Sequence, residues 1–422
     1  MNTLYDVTAL VVRRRIPVMT GIDRVDFHTA WQLAETATDV SECGHSCAFL
    51  FRSPWISRVL PAAAMKTLLQ EMRLVRGLTG VNTGTLAEVL AVLSRPPEPV
   101  SHRGSLKIGR YQAMGIGKRD YLDAFSLVVR HGQSLNAYLR GVAGNLRYVH
   151  CSHHGFRQPR RFSWLPREGV ETTFFLHDLI PVRYPQFCSE GARLSLLEGI
   201  SCASALAQRI AVNSAATADD LLSYLIAAKL RVPQIEVHRL GVSVDDTGAG
   251  ISEYHSSPLF PYFVCPGTMD GRKNVEVLLQ AWRLLAKRRS IADMPRLILA
   301  GARGWNSEGL NSQLDTMTDI APFIVEARGL NDTELATLTG KAKGVLQPSL
   351  AEGFSLAAAD AFARGLPVLV SDIAAHKELG IPAAHRIPVQ SAEDWANAID
   401  AGVPALRGQG RSWASFAEKL VA

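Results

Sequence analysis

The stretch Tyr262-Phe263-Val264-Cys265-Pro266-Gly267-Thr268-Met269-Asp270-Gly271-Arg272-Lys273-Asn274-Val275 decides how this chain is read. Four β-prone residues are stopped by Pro-Gly, so a short strand is expected over 262–265, a polar loop after it, and a helix over 275–285. The same unit recurs downstream. Strands are expected at 297–300, 324–325, 345–346 and 367–370, and helices at 332–339 and 356–363. Strands alternating with helices imply a parallel sheet built from right-handed βαβ crossovers.

Upstream the pattern is looser. Residues 5–12 read as a β-branched strand, 13–20 as a polar loop and 22–35 as a helix opened by Gly21. Short apolar runs at 172–176, 209–212 and 235–240 end in His177-Asp178, Asn213-Ser214 and Gly241, with Ser214 placed to cap a helix. Two α/β halves would meet at the polar, glycine-bearing segment 245–258. Residues 37–151 carry no assignable pattern.

A chain of 422 residues, 47% of them apolar, exceeds what one core needs and points to two or three domains. The net charge of +6 suits anionic partners. The basic clusters at 13–15, 157–161 and 287–289 lack interleaved aromatics, so nucleic acid is not an expected partner. The 157–161 cluster best fits a membrane or an acceptor. Six scattered cysteines predict free thiols in a reducing compartment. Cys43 and Cys47 have no second ligand pair, and His150, His153 and His154 have no completing carboxylate, so no metal site is expected. No apolar run reaches the roughly 18 residues of a membrane span, and the N-terminus does not read as an export signal.

In an open parallel sheet, ligands collect at the carboxyl ends of strands, where helix N-termini aim N–H groups at an anion. Arg272 and Lys273 sit just ahead of such a helix, where cations worsen the dipole unless an anion intervenes. A phosphate would resolve the conflict, with Arg272 bidentate and Lys273 a point charge. Two exposed basic residues in a turn is the plainer account. The second loop is Pro348-Ser349-Leu350-Ala351-Glu352-Gly353-Phe354-Ser355-Leu356. There Gly353 would let a ligand approach the backbone and Glu352 would accept from sugar hydroxyls. The N–H groups of Phe354, Ser355 and Leu356 would face an oxygen-rich ligand. A carboxylate offsetting a helix N-terminus is the alternative. Asp360 lies one turn beyond Leu356 and wants a partner, either a ribose diol or a cation.

These segments, with Ala300-Gly301, Arg364-Gly365-Leu366-Pro367-Val368 and Ser371-Asp372, resemble over residues 262–380 the donor domain of retaining GT-B glycosyltransferases of the family-4 type. The resemblance implies an α/β GT-B fold, two Rossmann-like lobes whose parallel sheets face across a cleft. Residues 1–250 would form the acceptor-side lobe and 251–405 the nucleotide-sugar lobe, with 406–422 a helix returning to the first. Thr20-Gly21-Ile22-Asp23-Arg24-Val25 resembles the loop that approaches the donor diphosphate, and His177-Asp178-Leu179-Ile180-Pro181 the segment bearing an active-site histidine. The implied catalytic set is His177, Glu352, Arg272 and Lys273, with Gly21, Gly267, Thr268, Gly353, Phe354, Ser355, Leu356 and Asp360 completing the donor site. The family uses two glutamates eight positions apart; Glu352 matches the first, and Asp360 stands at the second, leaving ribose contact or nucleotide preference in question.

The implied reaction is transfer, with retention, of a hexose from a nucleoside diphosphate sugar to a hydroxyl of a glycan or lipid-linked glycan. Mannose comes first by family frequency. No cofactor or metal is expected, and Asp219-Asp220 and Asp245-Asp246 are not Asp-x-Asp sites. Such enzymes serve bacterial polysaccharide and lipopolysaccharide assembly, often at the cytoplasmic face of the membrane, and the basic surface is compatible with peripheral contact with anionic lipid. A glycoside hydrolase using Glu352 and Asp360, a sugar-nucleotide epimerase and a non-catalytic GT-B scaffold subunit stand as alternatives.

Overall fold

The computed structural model describes residues 2–16, 18–37, 47–53, 55–76, 84–98, 103–109, 118–142, 144–153, 159–166, 169–242 and 260–422. In chain order its strands are β1 (Asn2–Asp6), β2 (Cys47–Arg52), β3 (Ser57–Leu60), β4 (Leu106–Ile108), β5 (Gln133–Ser134), β6 (Leu146–His150), β7 (Val170–Leu176), β8 (Arg209–Val212), β9 (Gln234–Val237), β10 (Tyr262–Pro266), β11 (Arg296–Ala300), β12 (Ile324–Ala327), β13 (Gly344–Gln347), β14 (Val368–Ser371) and β15 (Arg386–Ile387). They form two sheets, ordered β5-β3-β2-β1-β6-β7-β8-β9 and β15-β14-β13-β10-β11-β12-β4. Pairing is parallel except where β3 meets β2 and β5. The central strands β6, β10 and β11 are buried at every position, as sheets covered on both faces require.

The second sheet follows the expected alternation. The helix Val275–Arg288 buries Val275, Leu278, Leu279, Trp282 and Leu285 against it, and the Trp282 indole donates to the Pro295 carbonyl at 2.9 Å. The first lobe differs from expectation at its start. The run 5–12 is not one strand: β1 ends at Asp6, and Thr8–Val12 is a buried helical turn. The Asp6 carboxylate accepts the Thr8 N–H at 2.9 Å, turning the chain where the sheet ends; β-branched composition alone hides this. The next helix runs Gly21–Thr36, one residue earlier than expected, because Thr20 and Asp23 form a capping box.

The lobe boundary is not a single cut either. Within residues 1–250, the helix Thr85–Leu93 and β4 belong to the second lobe, where β4 extends the sheet as a parallel partner of β12. A three-residue strand is too short to read from hydrophobic pattern. The expected joining segment 245–258, Cys43 and His154 lie outside the described residues. Among the described residues no helix is long and apolar enough to cross a membrane.

The C-terminal helix Trp413–Val421 packs on the helix Gly21–Thr36 of the first lobe. Trp413 stacks on His28 with ring centroids 4.7 Å apart, and Phe416 meets Phe175 edge-on at 5.6 Å. A Cβ on Gly241 would stand 2.6 Å from the Trp413 backbone, so the absence of a side chain there lets this helix seat. Trp413→Ala is expected to cost about 3 kcal/mol of unfolding free energy, read as a lower urea midpoint; an unchanged midpoint would show that the helix is not part of the cooperative core.

Candidate functional site

The carboxyl ends of β7, β8, β10 and β13 open on one cleft between the lobes. It is open to solvent, spans about 1050 Å³ with that solvent included, and is lined by Thr20, Gly21 and His177 on one side and by Gly267, Lys273 and Glu352 on the other. Every residue of the expected donor set except Arg272 and Asp360 lines this cleft. Arg272 is paired with Glu352, and Asp360, paired with Arg24, lines an adjoining cavity that shares Arg24, Pro266, Asp332 and Leu335 with the cleft.

After β10 the chain makes a short 3₁₀ turn, Gly271–Lys273, capped by Asp270, whose carboxylate accepts the Lys273 N–H at 3.1 Å. Gly267 has φ +122°, a left-handed conformation that favours glycine, and a Cβ there would meet the Lys273 side chain at 3.3 Å. Asn274, at φ 52°, donates to the carbonyls of Pro348 (3.1 Å) and Val389 (2.7 Å), and the Leu350 N–H donates to the Arg272 carbonyl at 2.8 Å. These bonds lash the two loops together.

The charges then meet. Glu352 Oε1 lies 2.6 Å from Lys273 Nζ and Oε2 lies 2.7 Å from Arg272 Nη1, while the Ser349 hydroxyl donates to Oε1 at 2.7 Å. Asp270 sits 3.4 Å from Arg272. The cations do not wait for a ligand to offset them, as the sequence suggested; Glu352 and Asp270 already do so. Burial works to raise the Glu352 pKa, but Arg272 and Lys273 overcome it and hold the carboxyl well below the ordinary carboxylate range. Burial likewise opposes the Arg272 charge and is outweighed by Glu352, Asp270 and Asp178.

Gly353 lines the cleft and also sits at a lobe contact. A Cβ there would fall 2.4 Å from the His177 carbonyl and 2.9 Å from Asp178 Cβ, so this glycine is where the lobes touch. Ser355, at φ 67°, hydrogen-bonds His376 Nε2 at 3.0 Å. His376 Nδ1 faces the Ser371 carbonyl at 2.7 Å, so Nδ1 carries the proton and Nε2 accepts from the serine. Asp360 found the cation of its two expected partners: Arg24 of the first lobe reaches it at 2.9 Å and Asp332 at 3.7 Å.

His177 is buried with Nε2 2.7 Å from the Cys151 carbonyl. A carbonyl only accepts, so Nε2 is the donor and Nδ1 the ring's remaining acceptor. Burial, helped by His153, lowers its pKa from the ordinary 6.5 to about 3. The Asn213 amide fixes the His177 carbonyl at 2.6 Å.

Residues 260–402 match the family described as Glycosyl transferases group 1. The second lobe carries a glycosyl transferases group 1 domain. Sucrose-phosphate synthase from Thermosynechococcus elongatus superposes with a TM-score of 0.55 at 17% identity, covering 100% of this chain and 95% of that one. HepE from Anabaena, solved in complex with UDP and glucose, gives 0.55 at 14% identity, covering 95% of this chain and 89% of its own. The fold is GT-B. In sequence, residues of this chain are 25% identical over 244 positions to the serotype-specific mannosyltransferase WbdA of Escherichia coli, 55% of this chain but 30% of WbdA. The chain thus spans less than a third of the length of that relative.

Arg24, Asp178, Asn213 and Asn274 lie in segments quoted from the sequence but carried no individual role there, and His376 was not quoted. Asn274 carried a signal: an asparagine directly before a helix, next to Arg-Lys, is where a left-handed residue is tolerated. The others act through the other lobe or another strand, which local pattern does not encode.

Two outcomes test this geometry. Glu352→Gln leaves Arg272 and Lys273 against a neutral amide at a side chain 9% exposed, and should lower unfolding stability by about 3 kcal/mol; equal stability would mean the triad is solvent-screened. The second concerns pH. His28, His153 and His177 have pKa values lowered by burial from 6.5 to about 3, 4 and 3. The unfolded chain protonates them near 6.5, so their contribution is full above that pH and is lost as pH falls toward 3. The urea midpoint should drop between pH 7 and pH 5, less steeply in His177→Asn; parallel curves would remove His177 from the account.

Proposed function

We propose that this protein transfers a hexose from a nucleoside diphosphate sugar to a hydroxyl of a glycan or lipid-linked glycan in bacterial polysaccharide assembly, with retention of anomeric configuration. The observation that carries the reading is the Arg272–Glu352–Lys273 triad at the ends of neighbouring strands β10 and β13, facing Gly21 and His177 across the cleft. Mannose is the first sugar to test, supported by the resemblance to WbdA, and HepE's UDP and glucose support the donor class.

The triad has capacity left for such a donor. Lys273 carries three N–H donors and spends two, on Glu352 and on Gln347 at 3.3 Å. Its third N–H meets no acceptor among the described residues and would serve a diphosphate oxygen. As the glycosidic bond breaks, negative charge grows on the diphosphate, and cations already fixed by Glu352 and Asp270 stabilise it without reorganising. Glu352 accepts hydrogen bonds from Lys273 and Ser349 at Oε1 and pairs with Arg272 at Oε2, out of about four lone-pair directions. One direction remains for a sugar hydroxyl, so this carboxylate orients the sugar rather than attacking it. His177 is neutral and accepts at Nδ1, which suits a sugar hydroxyl better than a phosphate oxygen. No metal or cofactor enters this reading.

A hydrolase would need one carboxyl protonated as general acid. Glu352 is held ionised between two cations and Asp360 is paired with Arg24, which disfavours that chemistry.

Incubation with a panel of GDP-, UDP- and ADP-linked hexoses, with release of nucleoside diphosphate followed with and without lipid-linked glycan acceptors, tests the reading. Acceptor-stimulated release is expected with one donor, falling at least about a hundredfold in Arg272→Ala. No acceptor-stimulated release across the panel would sink the proposal.

A further inference from the structure

The carboxyl edge of the first sheet holds a second group of polar side chains that donor binding does not use. β2 ends at Arg52, and in the spatial order β2-β1-β6 its neighbours end at Asp6 and His150. The Arg52 guanidinium lies 5.8 Å from the centre of the Trp164 ring. Its Nε and Nη1 are buried and meet no acceptor among the described residues, and the same is true of Arg161 Nε and the Trp164 indole N–H. All four atoms are donors. Buried donors in folded proteins are nearly always satisfied, and an unmatched buried cation is costly, so donors gathered without an acceptor imply a ligand that supplies one.

The basic clusters of the sequence sharpen the contrast. Arg13 is spent on Asp23, Arg15 on Asp123, and Arg288 and Arg289 on Glu393 and Asp400. Arg161, whose side chain represents the remaining cluster among the described residues, makes no such pair with them. Burial lowers the Arg52 pKa, with Arg161 acting in the same direction and Tyr148 and Asp6 against it, which places the two guanidinium groups in one electrostatic neighbourhood. Both residues are half-buried, with part of each open to solvent and the unmatched nitrogens beneath that surface.

Packed rings link the group to the wall of the cleft. Phe162, next to Arg161, packs edge-on against His150 at 5.5 Å. Three residues beyond His150, His153 meets His177 at 5.2 Å, and His177 lines the cleft on the side opposite the triad. We propose that Arg52, Arg161 and the Trp164 indole N–H form a receptor for an anionic group, a phosphate or carboxylate, carried by the acceptor. This deepens the transferase reading and rests on it: the acceptor hydroxyl enters from the first lobe, anchored by a charge that these donors hold.

Calorimetric titration of the full chain tests it, with GDP or UDP present so that phosphate probes do not report on Arg272 and Lys273. The probes are mannose 6-phosphate, glucuronate and neutral mannose, and phosphatidylcholine vesicles with and without a polyprenyl phosphate. At least one anionic probe should bind about tenfold tighter than its neutral counterpart. That gap should vanish in Arg52→Gln and in Arg161→Gln while nucleotide affinity is unchanged. The responding probe identifies phosphate, carboxylate or lipid-borne phosphate as the source. Neither substitution removes a hydrogen bond from the unmatched nitrogens to the described residues, and melting temperatures report on folding independently. Equal binding of charged and neutral probes, or a gap that survives both substitutions, overturns the receptor. Failure of every nucleotide to bind would instead count against the transferase reading, and the anion titration would still decide the receptor.

Discussion

The contact on which the site depends is the bridge from the Glu352 carboxylate to Arg272 and Lys273. It joins loops that follow two adjacent strands, and it is buried, so neither loop can move without leaving charge unmatched. Ser349 and Gln347 complete the hydrogen bonding from the β13 side, and Asp270 and Asn274 hold the β10 side. The outcome is a rigid cationic surface whose geometry is set before any ligand arrives. That kind of preorganisation is what stabilising a growing charge requires.

The lobes meet through a few specific contacts around this surface. Gly353 allows the backbone of one lobe to press against His177 and Asp178 of the other. Arg24 bridges to Asp360, and the Glu378 carboxylate accepts the Ala215 N–H at the start of a first-lobe helix, at 2.9 Å to each oxygen. Asp360 therefore joins the lobes through its pair with Arg24. With a side chain shorter than glutamate, its carboxylate is retained on the helix and reached by the long Arg24 side chain from across the cleft. A glutamate in the same place would carry its charge further from the helix.

The second lobe is legible in the sequence because parallel strands buried on both faces leave continuous apolar runs, and the loops between them concentrate Gly, Pro and charge. Even so, sequence pattern reads the loops one at a time. The spacing of Arg272, Lys273 and Glu352 says nothing of their mutual contact, and the dipole argument points to a bound anion where a carboxylate 79 positions away already supplies the charge. The first lobe is harder for physical reasons. β4 is three residues long and belongs to the other sheet, and the turn after β1 is dictated by one Asp6 hydrogen bond inside a β-branched run. Gly353 stands out in the sequence as a close-approach site; which backbone it approaches is a tertiary fact.

Everything proposed for the cleft requires that this surface hold a nucleoside diphosphate. The most direct measurement is the dissociation constant of GDP and UDP for the wild-type chain and for Lys273→Ala, in which Glu352 keeps Arg272 as its partner. Binding of one nucleotide, weakened about thirtyfold by the substitution, is the predicted result. Undiminished binding in the variant, or binding of neither nucleotide to the wild type, would contradict it.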